Sequence, residues 1–310
     1  MSTISSTVEE KNAVQERRDK KRMFRRKLIP YLLITPAVLF VFGVLGYAVI
    51  GGLTMSFFDI RLSFGNAAFA GLENYVYLFT NPAFLNSMYV SLIFVFGSVI
   101  LGLLLALSFA LSLYKVRSFS NFFKAMALVP YLVSGIATAI MFRFLFSGDV
   151  GMINLMLETV GLSSVNFLAS PVWALIICIL ANVWFVAPFA TLILLAGIQG
   201  VDNELFESAT VDGAKKHHIL FKIILPLIAP MMGISLIWLS FASFNMFDVI
   251  LPLTNGGPGR ATEVMALYMY NVAFSELQYS LGSTVMVVIL FFNVLVSVIY
   301  LKVFNVSSGD

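Results

Sequence analysis

Residues 159–201 read TVGLSSVNFLASPVWALIICILANVWFVAPFATLILLAGIQGV, without a single Asp, Glu, Lys or Arg. A helix needs about 20 mainly apolar residues to cross the hydrocarbon of a bilayer. The stretch from Pro171 onward satisfies that need, whereas Gly161, Ser163, Ser164, Asn166 and Ser170 mark the part before it as a loop. The same reading extends outward in both directions. Residues 28–58, 74–114, 125–142, 223–247 and 277–301 are also free of charge. Allowing for their polar ends, the spans fall at 28–53, 88–113, 125–146, 171–197, 227–252 and 281–303. They must be helices, because lipid offers no partner for backbone N–H and C=O groups and the runs are too long for barrel strands.

Composition excludes the alternatives. Of 310 residues, 60% are hydrophobic and 11% charged, with 30 Phe against 19 Lys and Arg. The charged share is about half that of a soluble globular chain. A soluble enzyme could not hide so much apolar surface, and a disordered chain would not carry it. Six spans leave little beyond loops. Cys178 is the only cysteine, so no intramolecular disulfide can form.

The cations set an orientation. Nine precede Leu28; Lys115, Arg117 and Lys124 follow the second span; Lys215, Lys216 and Lys222 follow the fourth; Lys302 ends the sixth. That places sixteen on one side, against Arg61, Arg143 and Arg260 on the other. The excess predicts both termini in the cytoplasm, with a basic tail over 1–27 touching anionic membrane lipid and a short C-terminus over 304–310. The apolar run after the tail is too long for a cleaved signal peptide. No nucleic-acid partner is expected.

The loop over 199–226 is longer and more patterned than the others. Asp202 can start a helix, with Glu204 and Glu207 in its first turns, where negative charge suits the helix dipole. Gly213 interrupts, as glycine does where a helix ends in a left-handed turn. Residues 215–222 form a second, basic helix, and Pro226 follows. This loop resembles the "EAA" loop of ABC importer permeases: Glu-Ala-Ala, three residues, Gly, nine residues, Ile, one residue, Leu-Pro. Here it stands as Glu207-Ser208-Ala209, Gly213, Ile223 and Leu225-Pro226, with every spacing kept. Asp212-Gly213-Ala214 matches the usual Asp-Gly-Ala; Ser208 replaces Ala, and Val201-Asp202 stands where Ile-Pro is common. Two outer-loop motifs resemble the maltose and glycerol-phosphate permease group: Gly71-Leu72-Glu73-Asn74-Tyr75, and Thr254-Asn255-Gly256-Gly257-Pro258-Gly259.

The resemblance implies an all-α polytopic fold of the type I ABC importer permease kind, with six transmembrane helices. It implies four kinds of partner: a second homologous permease, two copies of an ABC ATPase, an extracytoplasmic solute-binding protein and membrane lipid. Glu207, Ser208, Ala209, Asp212, Gly213 and Ala214 would then form the coupling segment, with Glu207 meeting the ATPase, Ala209 permitting close packing and Gly213 setting a bend. The chain has no Gly-x-x-x-x-Gly-Lys-Ser/Thr phosphate loop. ATP and Mg are therefore expected on the separate ATPase, with no cofactor or metal in this chain and no catalysis by it.

A candidate solute pathway comes from the fifth span: Ser243, Asn245, Met246, Phe247 and Asp248. A carboxylate at membrane depth needs a partner or water and should face inward. Asn245, Asp248 and Pro252 share one stripe if the helix continues to 252. The same residues also suit a packed helix–helix contact. Asn182 and Trp184 in the fourth span invite both readings too. His217 and His218 are adjacent, so they cannot present one face to a metal. The competing function is an ion-coupled secondary carrier, which would want midplane carboxylates and inverted repeats; that reading leaves the loop over 199–226 unexplained. With no Lys or Arg inside the spans except Arg143 at an edge, a neutral or weakly charged sugar is the expected solute.

Overall fold

The computed structural model describes residues 28–60, 68–116, 119–148 and 150–304. The basic tail over 1–27, Arg61, Arg117 and residues 305–310 lie outside the described residues. The chain divides after Thr54 into two compact units. The described part of the first is the helix α1 (Leu28–Met55) up to Thr54, a long apolar rod with one π turn at Val41–Leu45.

The second unit opens with a two-stranded antiparallel ribbon, β1 (Phe58–Asp59) paired with β2 (Ala68–Phe69). The helices α2 (Glu73–Thr80) and α3 (Pro82–Lys115) follow. Asn81 caps α3 by accepting from the Ala83 N–H at 2.8 Å, and Pro82 sits where a missing N–H costs nothing. Next come α4 (Ser120–Leu132), α5 (Gly135–Leu145), α6 (Met152–Thr159) and α7 (Pro171–Gln199). The chain then forms α8 (Asn203–Val211), α9 (Lys216–Leu227, with a π turn at Leu220–Ile224), α10 (Ala229–Phe244) and α11 (Ile250–Thr254). It closes with α12 (Met265–Tyr270) and α13 (Tyr279–Val303).

Helices α3 and α7 form the centre of this unit. Their buried faces carry Phe94, Ala106 and Ala110 on α3 and Ile177, Ala181, Ala187 and Leu194 on α7. Small residues let helices approach closely where lipid supplies no hydrophobic drive. Leu239 of α10 fills the groove at Gly102, where an added Cβ would meet its Cδ2 at 3.1 Å.

Among the described residues, four helices are long and apolar enough to cross a membrane alone: α1, α3, α7 and α13. Six spans result if each of two bent pairs counts as one. The straight helices expected over 125–146 and 227–252 are both broken. Helices α4 and α5 meet at 88° across Val133 and Ser134, where the Ser134 side chain caps the new helix by accepting from the Ala137 N–H at 3.3 Å. Helices α9 and α10 meet at 73° around Ile228. Pro230 has no N–H for the Pro226 carbonyl, and its ring would collide with that carbonyl in a continuous helix. Helix α10 also ends early, at Phe244, and α11 begins only at Ile250.

Candidate functional site

The loop singled out by its spacing folds as the two helices α8 and α9 joined by a tight turn. The turn is a Schellman motif. The Ala214 N–H donates to the Ala209 carbonyl at 2.9 Å and the Gly213 N–H to the Thr210 carbonyl at 3.1 Å. Gly213 has φ +74°, a region that a Cβ disfavours, although nothing lies within 4 Å of where that Cβ would stand. Conformation alone therefore selects glycine here. Asp202 occupies the N-cap position, but its side chain makes no capping hydrogen bond.

Helix α8 is two-faced. Phe206 and Ala209 turn inward; Ala209 is buried, and Phe206 meets the ring of Tyr114 at the end of α3 at 6.1 Å. Glu204, Glu207, Ser208 and Val211 lie exposed, with Val211 86% accessible. Ala209, expected to permit close packing, is buried within the chain itself. Asp212 is exposed and Ala214 half-buried. The arrangement is a short helix, in ring contact with α3, that presents acidic and hydroxyl groups together with the apolar Leu205 and Val211.

The five pathway candidates separate. Ser243 is buried and its hydroxyl accepts from the Asn182 amide at 2.8 Å, which ties α10 to α7. Met246 is also buried. Both therefore belong to the packed interior. Asn245 is exposed, and its amide returns to the Phe241 carbonyl at 2.8 Å. Phe247 is half-buried and stacks on Tyr270, with centroids 5.4 Å apart and planes 20° from parallel. The stripe of Asn245, Asp248 and Pro252 does not form, because the helix stops at Phe244.

Asp248, expected within the fifth span and facing inward, lies beyond the end of α10. It sits against the start of α5: a Cβ added to Gly135 would collide with its carboxylate. A negative charge at a helix N-terminus is stabilised by about 0.3–1 kcal/mol. The 88° bend between α4 and α5 creates that N-terminus in mid-span. Arg143, at the other end of α5, donates to the Pro252 carbonyl at 3.2 Å. No spacing rule in the sequence links residues 135 and 248.

A second feature escaped the sequence reading. Tyr131 of α4 lies 5.5 Å from the ring of Phe189, and Phe189 lies 4.5 Å from Trp238. Phe185 joins them one turn from Phe189. The four-residue spacing of Phe185 and Phe189 was visible in the sequence, but it is shared by ordinary packing.

The outer-loop motifs are structural. Asn74 is buried and donates to the carbonyls of Ser56 and Phe58 at 3.0 and 2.9 Å. Tyr75 shares a 2.8 Å hydrogen bond with Ser56. The Gly-rich turn closes on itself, with Thr262 donating to the Gly257 carbonyl at 2.8 Å. It also docks on α3, where Asn86 donates to the Arg260 carbonyl at 3.0 Å. Glu263, the buried carboxylate beneath the turn, faces Arg260 at 3.4 Å and accepts from Asn271 at 3.3 Å. Burial raises its pKa, and these two partners only partly offset the shift.

Known proteins match this geometry. The profile of the family described as "Binding-protein-dependent transport system inner membrane component" matches residues 98–305. A trehalose/maltose transport system permease protein of Thermococcus litoralis is 32% identical over 283 residues, covering 91% of this chain and 96% of that protein. A sulfoquinovosyl glycerol transport system permease protein of Agrobacterium fabrum is 31% identical, covering 89% and 90%. Among solved structures, a bacterial ABC transporter involved in the import of the acidic polysaccharide alginate superposes with TM-score 0.76 at 24% identity, over 92% of this chain and 98% of that one. An alginate ABC transporter in complex with an alginate pentasaccharide-bound periplasmic protein superposes with TM-score 0.73 at 25% identity, over 92% and 95%. With its apolar helices, its bent spans and its patterned loop, this chain belongs to the family of binding-protein-dependent transport system inner membrane components, the multi-pass permeases of ABC transporters.

Proposed function

We propose that this chain is half of the translocation pathway of an ATP-driven importer for a sugar or sugar derivative. A second homologous permease supplies the other half, two copies of an ABC ATPase supply the energy, and an extracytoplasmic binding protein delivers the solute. The solute class rests on relatives whose names specify trehalose/maltose, sulfoquinovosyl glycerol and sn-glycerol-3-phosphate transport. The periplasmic partner has a counterpart in the alginate complex.

The observation that carries the coupling role is the exposed face of α8. Glu204, Glu207, Ser208 and Val211 form a surface suited to a groove on another protein, and the Gly213 turn stiffens it into a lever. ATP and Mg bind the ATPase; closure of the ATPase pair moves α8, and the contact of Phe206 with Tyr114 carries that motion to α3. On the solute side, Asn245, Phe247 and Asp248 are the accessible members of the pathway set, and Ser243 and Met246 hold them in place.

Co-purification from membranes at native expression level tests this reading. The expected result is a second six-span permease together with an ABC ATPase, with ATP hydrolysis stimulated by the loaded binding protein. Recovery of the chain alone, with uptake driven by an ion gradient, would overturn it.

A further inference from the structure

An apolar cavity of about 610 Å³ lies between α3, α4, α5 and α7. Its walls include Phe109 and Leu113 of α3, Phe123 and Met126 of α4, and Leu180 and Trp184 of α7. Phe109, Phe123, Met126 and Leu180 are also exposed, so the cavity is a groove open at the side. From Leu180 to Thr191 it follows α7 for roughly 16 Å at the rise of an α-helix. It offers almost nothing to a polyhydroxylated solute. Thr191 is the one hydroxyl among the lining residues, and it already donates to the Ala187 carbonyl at 2.9 Å. A groove of this kind at membrane depth suits hydrocarbon.

One end of the groove is not neutral. Phe123 is next to Lys124, whereas Lys115, two residues past Leu113, leaves α3 on another side. Lys124 precedes the lining residue Ala127 by three positions and so shares its stripe on α4. Lys115 is exposed, Lys124 is half-buried, and neither ammonium has a carboxylate partner among the described residues. Lys124 at the mouth of an apolar groove complements a molecule with a hydrocarbon tail and an anionic head. The charge count places this end at the cytoplasmic face, where lysine side chains reach the headgroup level.

We propose that the groove is a binding site for an anionic phospholipid, with one acyl chain along α7 and the headgroup phosphate at Lys124. None of its lining residues belongs to the pathway set over 243–248 or to α8. A lipid seated there would brace α4 against α7 on one side of the 88° bend between α4 and α5.

The test uses the full chain in its purified complex, reconstituted with phosphatidylglycerol or phosphatidylcholine carrying a photoactivatable acyl chain. Labelled peptides are mapped by mass spectrometry. Phosphatidylglycerol should label the groove peptides of α3, α4 and α7 on the order of tenfold more than phosphatidylcholine. Lys124→Ala should abolish that preference. Met126→Trp, which fills the groove, should lower labelling by both lipids, and Leu105→Trp on the opposite wall serves if that variant does not fold. Equal labelling by the two lipids would overturn the proposal. So would absence of label in the groove peptides of a folded complex, with the same peptides cross-linking instead to residues 28–53 or to a second permease.

Discussion

Three residues carry predictions of their own. At Gly213 only backbone conformation is at stake, because no neighbour obstructs a side chain. Gly213→Asn should be nearly silent, since Asn tolerates the left-handed region, while Gly213→Ala should cost about 1 kcal/mol locally. Gly213→Pro fixes φ near −65° and removes the N–H bonded to Thr210, so the turn cannot form. Insertion should persist and solute-stimulated ATP hydrolysis in the reconstituted complex should vanish; normal stimulation would refute the lever. At Gly135 the obstacle is the Asp248 carboxylate. Gly135→Ala should lower the melting temperature of the purified chain, by an overpacking cost of about 1–3 kcal/mol. Asp248→Ala should restore it in the double variant, and additive losses would show that the two residues do not touch. Glu263 has a raised pKa in the folded chain. The folded state thus holds that proton more tightly than the unfolded state, and stability falls as pH rises from the ordinary carboxylate range through the raised value. Glu263→Gln should flatten that part of the profile in a thermal melt, and an unchanged slope would assign it to other groups.

At the scale of elements, the broken spans matter most. Long charge-free runs announce helices because every backbone group must be paired inside the segment. They do not announce bends, since the residues at a bend stay as apolar as those around it. Ser134-Gly135 is only a weak turn signal inside a span, and at the 88° turn the Ser134 side chain caps the new helix. The break at Ile228 was more legible: Pro226 and Pro230 are four apart, the spacing at which a proline lacks the N–H for the carbonyl it should meet. Pro230→Ala restores that N–H and removes the clash. Spin labels at the exposed Phe221 and Phe241 should then move apart as the 73° bend opens. An unchanged distance would mean that packing against α3 and α7 holds the bend without the proline.

At the scale of the whole molecule, topology can be read chemically. Cys178 is the only cysteine and is fully buried, so the native chain should be silent to aqueous thiol reagents. Cysteines introduced at Glu204 and at Arg260, both exposed, should react with impermeant maleimide from opposite sides of sealed vesicles. Reaction from the same side would dismiss the arrangement drawn from the basic residues. The sequence by itself determined that this chain lives in a bilayer, that it is helical, and that residues 199–226 form two helices around a glycine turn. Those features obey local rules: apolar run length, backbone pairing, and the conformational freedom of one glycine. Only the tertiary structure decided that Ser243 and Met246 face the interior, that Asn182 reaches Ser243, and that Asp248 meets the start of α5. Each of these depends on residues tens of positions apart meeting across bent helices, and no periodicity along the chain encodes such a meeting.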